Sequence, residues 1–150
     1  MKRFLSFFLV FTLIISCCSS YVFAEQVATK PQTSVEYFED GSYTITVLEE
    51  TSSLARAAKS GKKTKSYYTS NDVLIFAVTL TGTFSYTYGQ SATATGASVV
   101  VSLYHDDAEF VTKSATYRNA TAYGSGTVSY FGVTRAISTN ITCDIYGNLS

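Results

Sequence analysis

The sequence contains no tryptophan, a single proline and a single histidine among its 150 residues. It also lacks repeated cysteine pairs and a glycine-rich phosphate loop, so the usual sequence signals of metal and nucleotide sites are missing. Basic residues do not outnumber acidic ones, 11 against 11, which argues against nucleic acid as a partner. Tyrosine, in contrast, occurs 12 times, and threonine and serine crowd the second half. This composition favours an extracellular all-β protein.

The first 24 residues are predicted to be an export signal. Lys2 and Arg3 precede an apolar run over residues 4–15, and the segment ends with small residues at Val22 and Ala24. Because the run is too short to span a bilayer, we expect cleavage after Ala24 and no transmembrane span in the mature protein. The remaining chain, residues 25–150, keeps every acidic residue but loses two basic ones, so its net charge is near −2.

A second interpretation of the same segment leads to a lipid anchor. Residues 14–17 read Ile-Ile-Ser-Cys and resemble a bacterial lipobox, in which Cys17 would become the acylated first residue. The prediction is secretion, with anchoring at Cys17 as the alternative.

The mature chain is divided by charge. Residues 25–50 carry six acidic residues and one lysine, whereas residues 51–66 carry five basic residues and no acid. Within the first segment, two strand-like runs flank Asp40-Gly41, which predicts a β-hairpin whose two turn residues both have positive φ. Residues 51–66 have too few apolar side chains to dock a helix, and we predict an exposed basic linker.

From Tyr67 onward apolar and hydroxylated residues alternate with period two, most clearly over Leu74–Tyr88, where Gly82 is the expected bend. With this run split at Gly82, residues 67–150 yield about seven strands, which predicts an antiparallel β-sandwich of immunoglobulin-like size. The predicted core comprises Leu74, Phe76, Val78, Leu80, Phe84, Val99, Val101, Leu103, Val111, Val128, Ile137, Ile141 and Ile145. Cys143 shares the parity of the last three core positions, so it is predicted to be a buried, reduced thiol.

Two segments carry a resemblance. Residues 81–95 read TGTFSYTYGQSATAT, and residues 141–150 read ITCDIYGNLS. Over residues 59–150 the chain resembles a group of small secreted proteins of unknown function from Gram-positive anaerobic bacteria. The resemblance implies a bacterial source and brings no catalytic residues. Similar chains often have cysteine where Ala94 stands here, which would leave Cys143 without the mate that the resemblance implies.

The densest cluster of acid, base and ligand groups is His105-Asp106-Asp107-Ala108-Glu109. Three adjacent residues cannot all direct their side chains at one ion, so we predict a solvated turn with no metal and no cofactor. A small hydrolase that uses His105 and a neighbouring acid is the less favoured enzymatic hypothesis, because no nucleophile is singled out by the sequence.

The candidate binding residues are an exposed tyrosine, Tyr104, and the basic side chains of the linker, namely Arg56, Lys59, Lys62, Lys63 and Lys65. The predicted function is non-catalytic contact at the cell envelope or in the medium, with a cell-wall polymer, a glycan or a protein as partner. The alternative is a secreted effector or toxin-like peptide, released by proteolysis at Arg56 or Lys59, with residues 25–63 as a removable pro-segment.

Overall fold

A computed structural model describes residues 31–52 and 57–150, apart from the side chain of Ser52. The export signal, the cleavage site at Ala24, the alternative anchor at Cys17 and the basic residue Arg56 lie outside these residues. The predictions made for them stay predictions.

The described chain forms eight antiparallel strands in two sheets, which confirms the predicted all-β sandwich. A five-stranded sheet has the order β1-β2-β3-β4-β5, and a three-stranded sheet with the order β6-β7-β8 packs on one of its faces. The strands are β1 Gln32–Tyr37, β2 Tyr43–Ser52, β3 Ala58–Tyr68, β4 Leu74–Thr87, β5 Ser91–Leu103, β6 Ala108–Arg118, β7 Thr121–Tyr130 and β8 Val133–Thr142. Nothing in these ranges is a helix of the length and hydropathy needed to cross a membrane.

The predicted N-terminal hairpin is present as β1 and β2, but its turn differs from the one expected. Gly41 has φ +78°, whereas Asp40 keeps an ordinary negative φ, so a two-residue turn with both φ values positive does not form. Instead the Gly41 amide donates to the Phe38 carbonyl at 3.1 Å, and the Phe38 amide donates to the Ser42 carbonyl at 2.8 Å. The Asp40 carboxylate accepts the Ser42 amide at 3.0 Å, which holds this longer connection in place.

The predicted exposed linker over residues 51–66 was wrong where the structure describes it. Residues 58–66 belong to β3, an interior strand that pairs with β2 on one side and β4 on the other. Sequence reasoning missed it because the segment has few apolar side chains, but backbone hydrogen bonds on both sides hold the strand in place. The acidic hairpin therefore continues into the main sheet through β3.

The predicted division of this run into two strands at Gly82 was also wrong, since β4 runs unbroken from Leu74 to Thr87. The irregularity lies in the partner strand, where Thr83 pairs with Gly96 and Phe84 pairs with Ala94, so Thr95 is the extra residue of a β-bulge. A bulge in β5 leaves the alternation of β4 intact, which is why the sequence of β4 shows no phase change.

Eight of the thirteen predicted core residues are fully buried, and so is the Cys143 thiol at 1% exposure. Within the described part of the chain Cys143 is a free cysteine, and burial raises the pKa of its thiol. Val101 is packed against the core but only half-buried. The eight buried positions are Phe76, Val78, Leu80, Phe84, Val99, Val128, Ile137 and Ile141.

The remaining core predictions, Leu74, Leu103, Val111 and Ile145, were wrong because all four are at least partly exposed. Bulges explain two of them. Tyr67 pairs with Phe76 but Tyr68 pairs with Leu74, so the extra residue Ile75 is buried and Leu74 turns away. Phe110 pairs with Val128 and Thr112 with Thr127, which leaves Val111 as the extra residue of β6.

The other two positions lie where the pairing stops. Leu103 is the last residue of edge strand β5, so only one neighbouring strand shields it. Strand β8 ends at Thr142, and Ile145 lies in a turn in which the Asp144 carboxylate accepts the Tyr146 and Asn148 amides at 2.8 Å each.

The two sheets approach each other closely where β7 carries glycine. A Cβ atom at Gly124 would lie 2.4 Å from Cγ2 of Val99, and one at Gly126 would lie 2.7 Å from Cγ2 of both Val78 and Val101. These separations are shorter than van der Waals contact, so only glycine allows the sheets to approach this closely. The middle of the sandwich is consequently closed.

Candidate functional site

Four connections meet at one end of the sandwich, because every odd-numbered strand leads into the next strand at that end. We call this the turn end, and it consists of residues 38–42, 69–73, 104–107 and 131–132. Aromatic side chains are concentrated in and beside it: Tyr37, Phe38, Tyr43, Tyr67, Tyr68, Tyr104, Tyr130 and Phe131. The turn end therefore offers aromatic side chains against which a ligand could pack.

An open cleft of 280 Å³ lies at the turn end, between the β1–β2 hairpin and the β7–β8 connection. Aromatic side chains form one part of its lining, and hydroxyl and charged groups form the rest. The lining residues are Asp40, Ser42, Tyr67, Thr69, Ser70, Tyr130, Phe131, Val133 and Arg135.

An ion pair between Asp40 and Arg135 spans the cleft and joins the two sheets. The Ser42 hydroxyl donates to the same carboxylate at 2.5 Å. Hydrogen bonds from the Ser42 hydroxyl and amide, together with the Arg135 charge, lower the pKa of Asp40 below its usual value. Arg135 and Tyr67 also line a second cavity of 190 Å³, so the two spaces share these two residues. Both charged groups remain partly exposed and accessible to a ligand.

Phe131 is held in a backbone conformation that bulky residues rarely adopt. Its φ is +46°, the following Gly132 has φ +75°, and the two residues form the tight turn between β7 and β8. The ring is 69% exposed and lies 4.5 Å from the ring of Tyr130, centroid to centroid. An exposed phenylalanine in the left-handed region costs stability without contributing much burial, a combination that is concentrated at functional sites.

Three tyrosines form a row across β1, β2 and β3 on the face of the large sheet that is turned away from the small sheet. Tyr37, Tyr43 and Tyr68 are register partners, and we call them the tyrosine ladder. The Tyr43 and Tyr68 rings stack with centroids 5.0 Å apart, and Tyr37, 74% exposed, lies 5.5 Å from Tyr43. The Tyr43 hydroxyl donates to Asp72 at 2.9 Å, and desolvation together with that carboxylate raises the pKa of Tyr43.

Tyr104, the tyrosine singled out from the sequence, is 59% exposed. Its amide donates to the Ile75 carbonyl at 2.9 Å, and the alternation after Leu103 puts its side chain on the same face as the ladder. The structure therefore places Tyr104 at the turn end, although no ring contact joins it to another aromatic side chain of the described residues.

His105 packs edge-on against Tyr130, with ring centroids 5.1 Å apart, and does not line the cleft. Its Nδ1 atom accepts the Asp107 amide at 3.2 Å and lies 3.5 Å from the Asp107 carboxylate. Among the described residues, no serine or threonine hydroxyl is hydrogen-bonded to His105, and no group of three His, Cys, Asp or Glu side chains could hold a metal ion. The turn has no nucleophile positioned for acid–base catalysis.

Two of the four described binding lysines face the three-stranded sheet and form ion pairs with carboxylates. Lys59 pairs with Glu50 at 2.9 Å, and Lys65 pairs with Glu36 at 2.7 Å. These contacts neutralise charges that the sequence analysis had assigned to an exposed patch.

The other two described positions differ from each other. The Lys63 amine donates to the Asn140 carbonyl at 3.0 Å, and burial lowers the pKa of Lys63. Lys62 remains exposed on the opposite face, where its register partner is Glu49. The structure therefore does not bring the described lysines together as one basic surface.

The binding residues predicted from the sequence include none that line the cleft, and Phe131 and Arg135 are two of those that sequence reasoning missed. Both left a signal. Phe131 precedes a glycine between two strand-like runs, the pattern of a tight hairpin turn. Arg135 is the one charged residue of β8 and shares the parity of Ile137, so a partner was required if that face was buried.

Comparison of the chain with protein-family models, with curated proteins and with solved structures gave no match.

Proposed function

We propose that this is an exported, non-catalytic protein that binds polysaccharide chains of the cell envelope through its turn end. The observation that carries the proposal is the cleft between Tyr67, Tyr130 and Phe131, with the Asp40–Arg135 ion pair across it. Sugar rings have apolar faces and hydroxylated edges. Aromatic side chains pack against the first, and charged and hydroxyl groups hydrogen-bond to the second.

The conformation of Phe131 supports a binding role for this end. A residue that only closed a turn would be asparagine or glycine, which adopt positive φ at little cost. Phenylalanine at this position instead presents an exposed ring beside the cleft. The free energy lost to the backbone is understandable if the ring contributes to ligand affinity.

Contact is favoured over hydrolysis by the arrangement around His105. The His105 side chain packs edge-on against Tyr130 and does not line the cleft, and its acidic neighbour Asp107 is exposed. A hydrolase would need a general acid or base directed at the bound substrate. Asp40 lines the cleft, but its carboxylate is already bonded to Ser42 and Arg135.

The released-peptide alternative is disfavoured by the position of β3. Removing residues 25–63 would strip β1, β2 and half of β3 from the sheet, including the buried residues Thr44 and Leu48. Lys59 is itself paired to strands on both sides, so a protease would need β3 to unfold locally.

The test is co-sedimentation of purified residues 25–150 with insoluble cell-wall fractions and purified neutral polysaccharides. Phe131→Asn keeps a residue that tolerates positive φ, and we expect it to weaken binding at least about tenfold. Tyr123→Thr removes an exposed aromatic ring near the start of β7, away from the turn end, and is the matched control, which should bind normally.

Two further measurements separate the hypotheses. Because the described lysines face partners or carboxylates, binding should persist at high ionic strength, whereas attraction to an anionic polymer would fade. His105→Ala should leave binding intact. Release of soluble sugars by the wild type, lost in His105→Ala with its fold intact, would overturn the non-catalytic proposal.

A further inference from the structure

Strand β6 is an edge strand with largely exposed side chains, and it runs close to β5, the edge strand of the other sheet. It has eleven residues, ten of which are exposed, and it pairs with β7 on one side only. Phe110, Val111 and Tyr117 each expose about half of their surface along it. The strand contains no proline, and a long exposed edge of this kind is a template for pairing with another strand.

The other three sheet edges are shorter or partly covered. Strand β1 has six residues, and Glu36 on it is paired with Lys65. Strand β8 has its Asn140 carbonyl bonded to Lys63, and its last residue, Thr142, exchanges two 3.0 Å hydrogen bonds with Ser150. Strand β5 carries the bulge at Thr95 and is tied at Ala94 to the Asn119 carbonyl.

The backbone groups available on β6 follow from its hairpin. Asn119 and Ala120 form a two-residue connection, so Arg118 and Thr121 are the closing hydrogen-bonded pair. Alternation then points the amides and carbonyls of Lys113, Ala115 and Tyr117 away from β7. No other backbone bond engages these groups in the described chain.

The sequence of β6 is complementary to itself in the antiparallel direction. The bulge at Val111 shifts the phase of the strand, so Glu109 and Arg118 lie on one face of the sheet although their numbers differ in parity. For the same reason Phe110 and Tyr117 share the other face. If two copies pair about Ser114, the extra residue Val111 has no partner of its own in the count. Phe110 of each copy is therefore opposite Tyr117 of the other, and Glu109 is opposite Arg118.

We propose that the protein forms a homodimer in which two β6 strands pair antiparallel about a two-fold axis at Ser114. The three-stranded sheets join into one six-stranded sheet. Two Glu109–Arg118 ion pairs and two Phe110–Tyr117 ring contacts hold the register, and the outward backbone groups of Lys113, Ala115 and Tyr117 gain partners.

One residue opposes this pairing and provides a sharp test of the register. Lys113 lies opposite Ala115 of the second copy, so the two Lys113 side chains lie diagonally across the axis on the same face. Like charges at that separation repel. Lys113→Ala should therefore strengthen the dimer, although Lys113 is exposed in the monomer.

The antiparallel arrangement places the two turn ends at opposite ends of an elongated particle. If those ends bind polysaccharide, as proposed above, each dimer can link two polymer chains and gain avidity. This consequence depends on the proposed function, whereas the dimer itself does not.

The experiment measures molar mass against concentration for residues 25–150 by sedimentation equilibrium. We expect a weak dimer, because a single strand pairing buries little area, and Ala115→Pro should make it monomeric. Proline at Ala115 removes an amide that points away from β7, so circular dichroism and thermal unfolding should show an intact monomer. A monomeric wild type at the highest soluble concentration would overturn the proposal.

A charge exchange tests the register independently of folding. Arg118→Glu places two carboxylates opposite each other at both ends, and we expect the dissociation constant to rise at least about tenfold. Glu109→Arg alone should do the same. The double variant restores both ion pairs with reversed polarity and should return the constant to within about threefold of wild type. Failure of the double variant to recover would show that β6 does not pair in this register.

Discussion

The packed interior and the turn end of this sandwich obey different rules. In the interior, the facing surfaces of β4 and β7 meet through valine, leucine and glycine, and a single added methyl group at Gly124 or Gly126 would collide. At the turn end, aromatic rings are half exposed, an ion pair spans an open cleft, and one phenylalanine has an unfavourable φ.

Under the proposed function, the interior provides stability and the turn end provides binding. Close packing in the interior contributes to the free energy of folding, and it leaves no space there for a ligand. The turn end contributes less to stability, and its aromatic and charged side chains remain accessible to a ligand. Changes in the interior should therefore reduce stability, whereas changes at the turn end should affect binding with little or opposite effect on stability.

The largest expected effect is that of Gly126→Val. The new side chain would meet Val78 and Val101, which lie on two different strands of the facing sheet, so we expect a loss of about 3 kcal/mol in the free energy of unfolding. Urea denaturation measures it. Ser125→Val, one residue away on the opposite face, is the control and should change stability by less than about 0.5 kcal/mol. Equal effects of the two variants would mean that the sheets do not meet at Gly126.

A smaller loss is expected for Cys143→Ala. The thiol is fully buried, and replacing it leaves a small cavity that costs about 1 kcal/mol. Since burial also raises the thiol pKa, a thiol reagent should label native Cys143 far more slowly than the unfolded chain. Rapid labelling of the native protein, followed by mass spectrometry, would place Cys143 outside the packed interior.

At the turn end we expect a substitution to leave the free energy of unfolding unchanged or to raise it. Phe131→Asn relieves the left-handed backbone conformation and loses little burial, so the free energy of unfolding should stay the same or rise by up to about 1 kcal/mol. The same variant should lose affinity for polysaccharide. A destabilised Phe131→Asn protein would place the ring in the packed interior and remove the contrast between the two regions.

The smallest effect concerns Asp40. Its pKa is lowered below 3.8 in the folded state by Ser42 and Arg135, so the ionised carboxylate stabilises the fold at higher pH. That contribution is lost as the pH falls through the lowered pKa. The thermal midpoint of the wild type should exceed that of Asp40→Asn at neutral pH, and the gap should close below pH 3.8. A gap that stays constant with pH would show that the ion pair does not contribute.

Much of the interior could be predicted from the sequence because alternation reports directly on which side of a strand is buried. Phe76, Val78, Leu80 and Phe84 follow that rule over one continuous strand. The rule failed at Leu74 and Val111, where a bulge adds one residue and exchanges the two faces. Nothing in the local sequence marks those bulges, because they depend on the register with the neighbouring strand.

The candidate site was less accessible to prediction because its parts come from distant segments. Asp40 and Arg135 are 95 residues apart and meet only when the two sheets close on each other. Tyr104 could be identified as exposed from its phase alone, but its position on the same face as the tyrosine ladder required the order of the strands.

By itself, then, the sequence determined the all-β class, the N-terminal hairpin, most of the β4 core and the burial of Cys143, since these depend on local alternation and turn residues. Only the tertiary structure decided that Ala58–Tyr68 is an interior strand. Its lysines contact Glu36, Glu50 and the Asn140 carbonyl once β1, β2 and β8 are in place, and backbone pairing on both sides supplies the stability that its side chains lack. The cleft likewise exists only because sheet packing brings the ends of separate hairpins together.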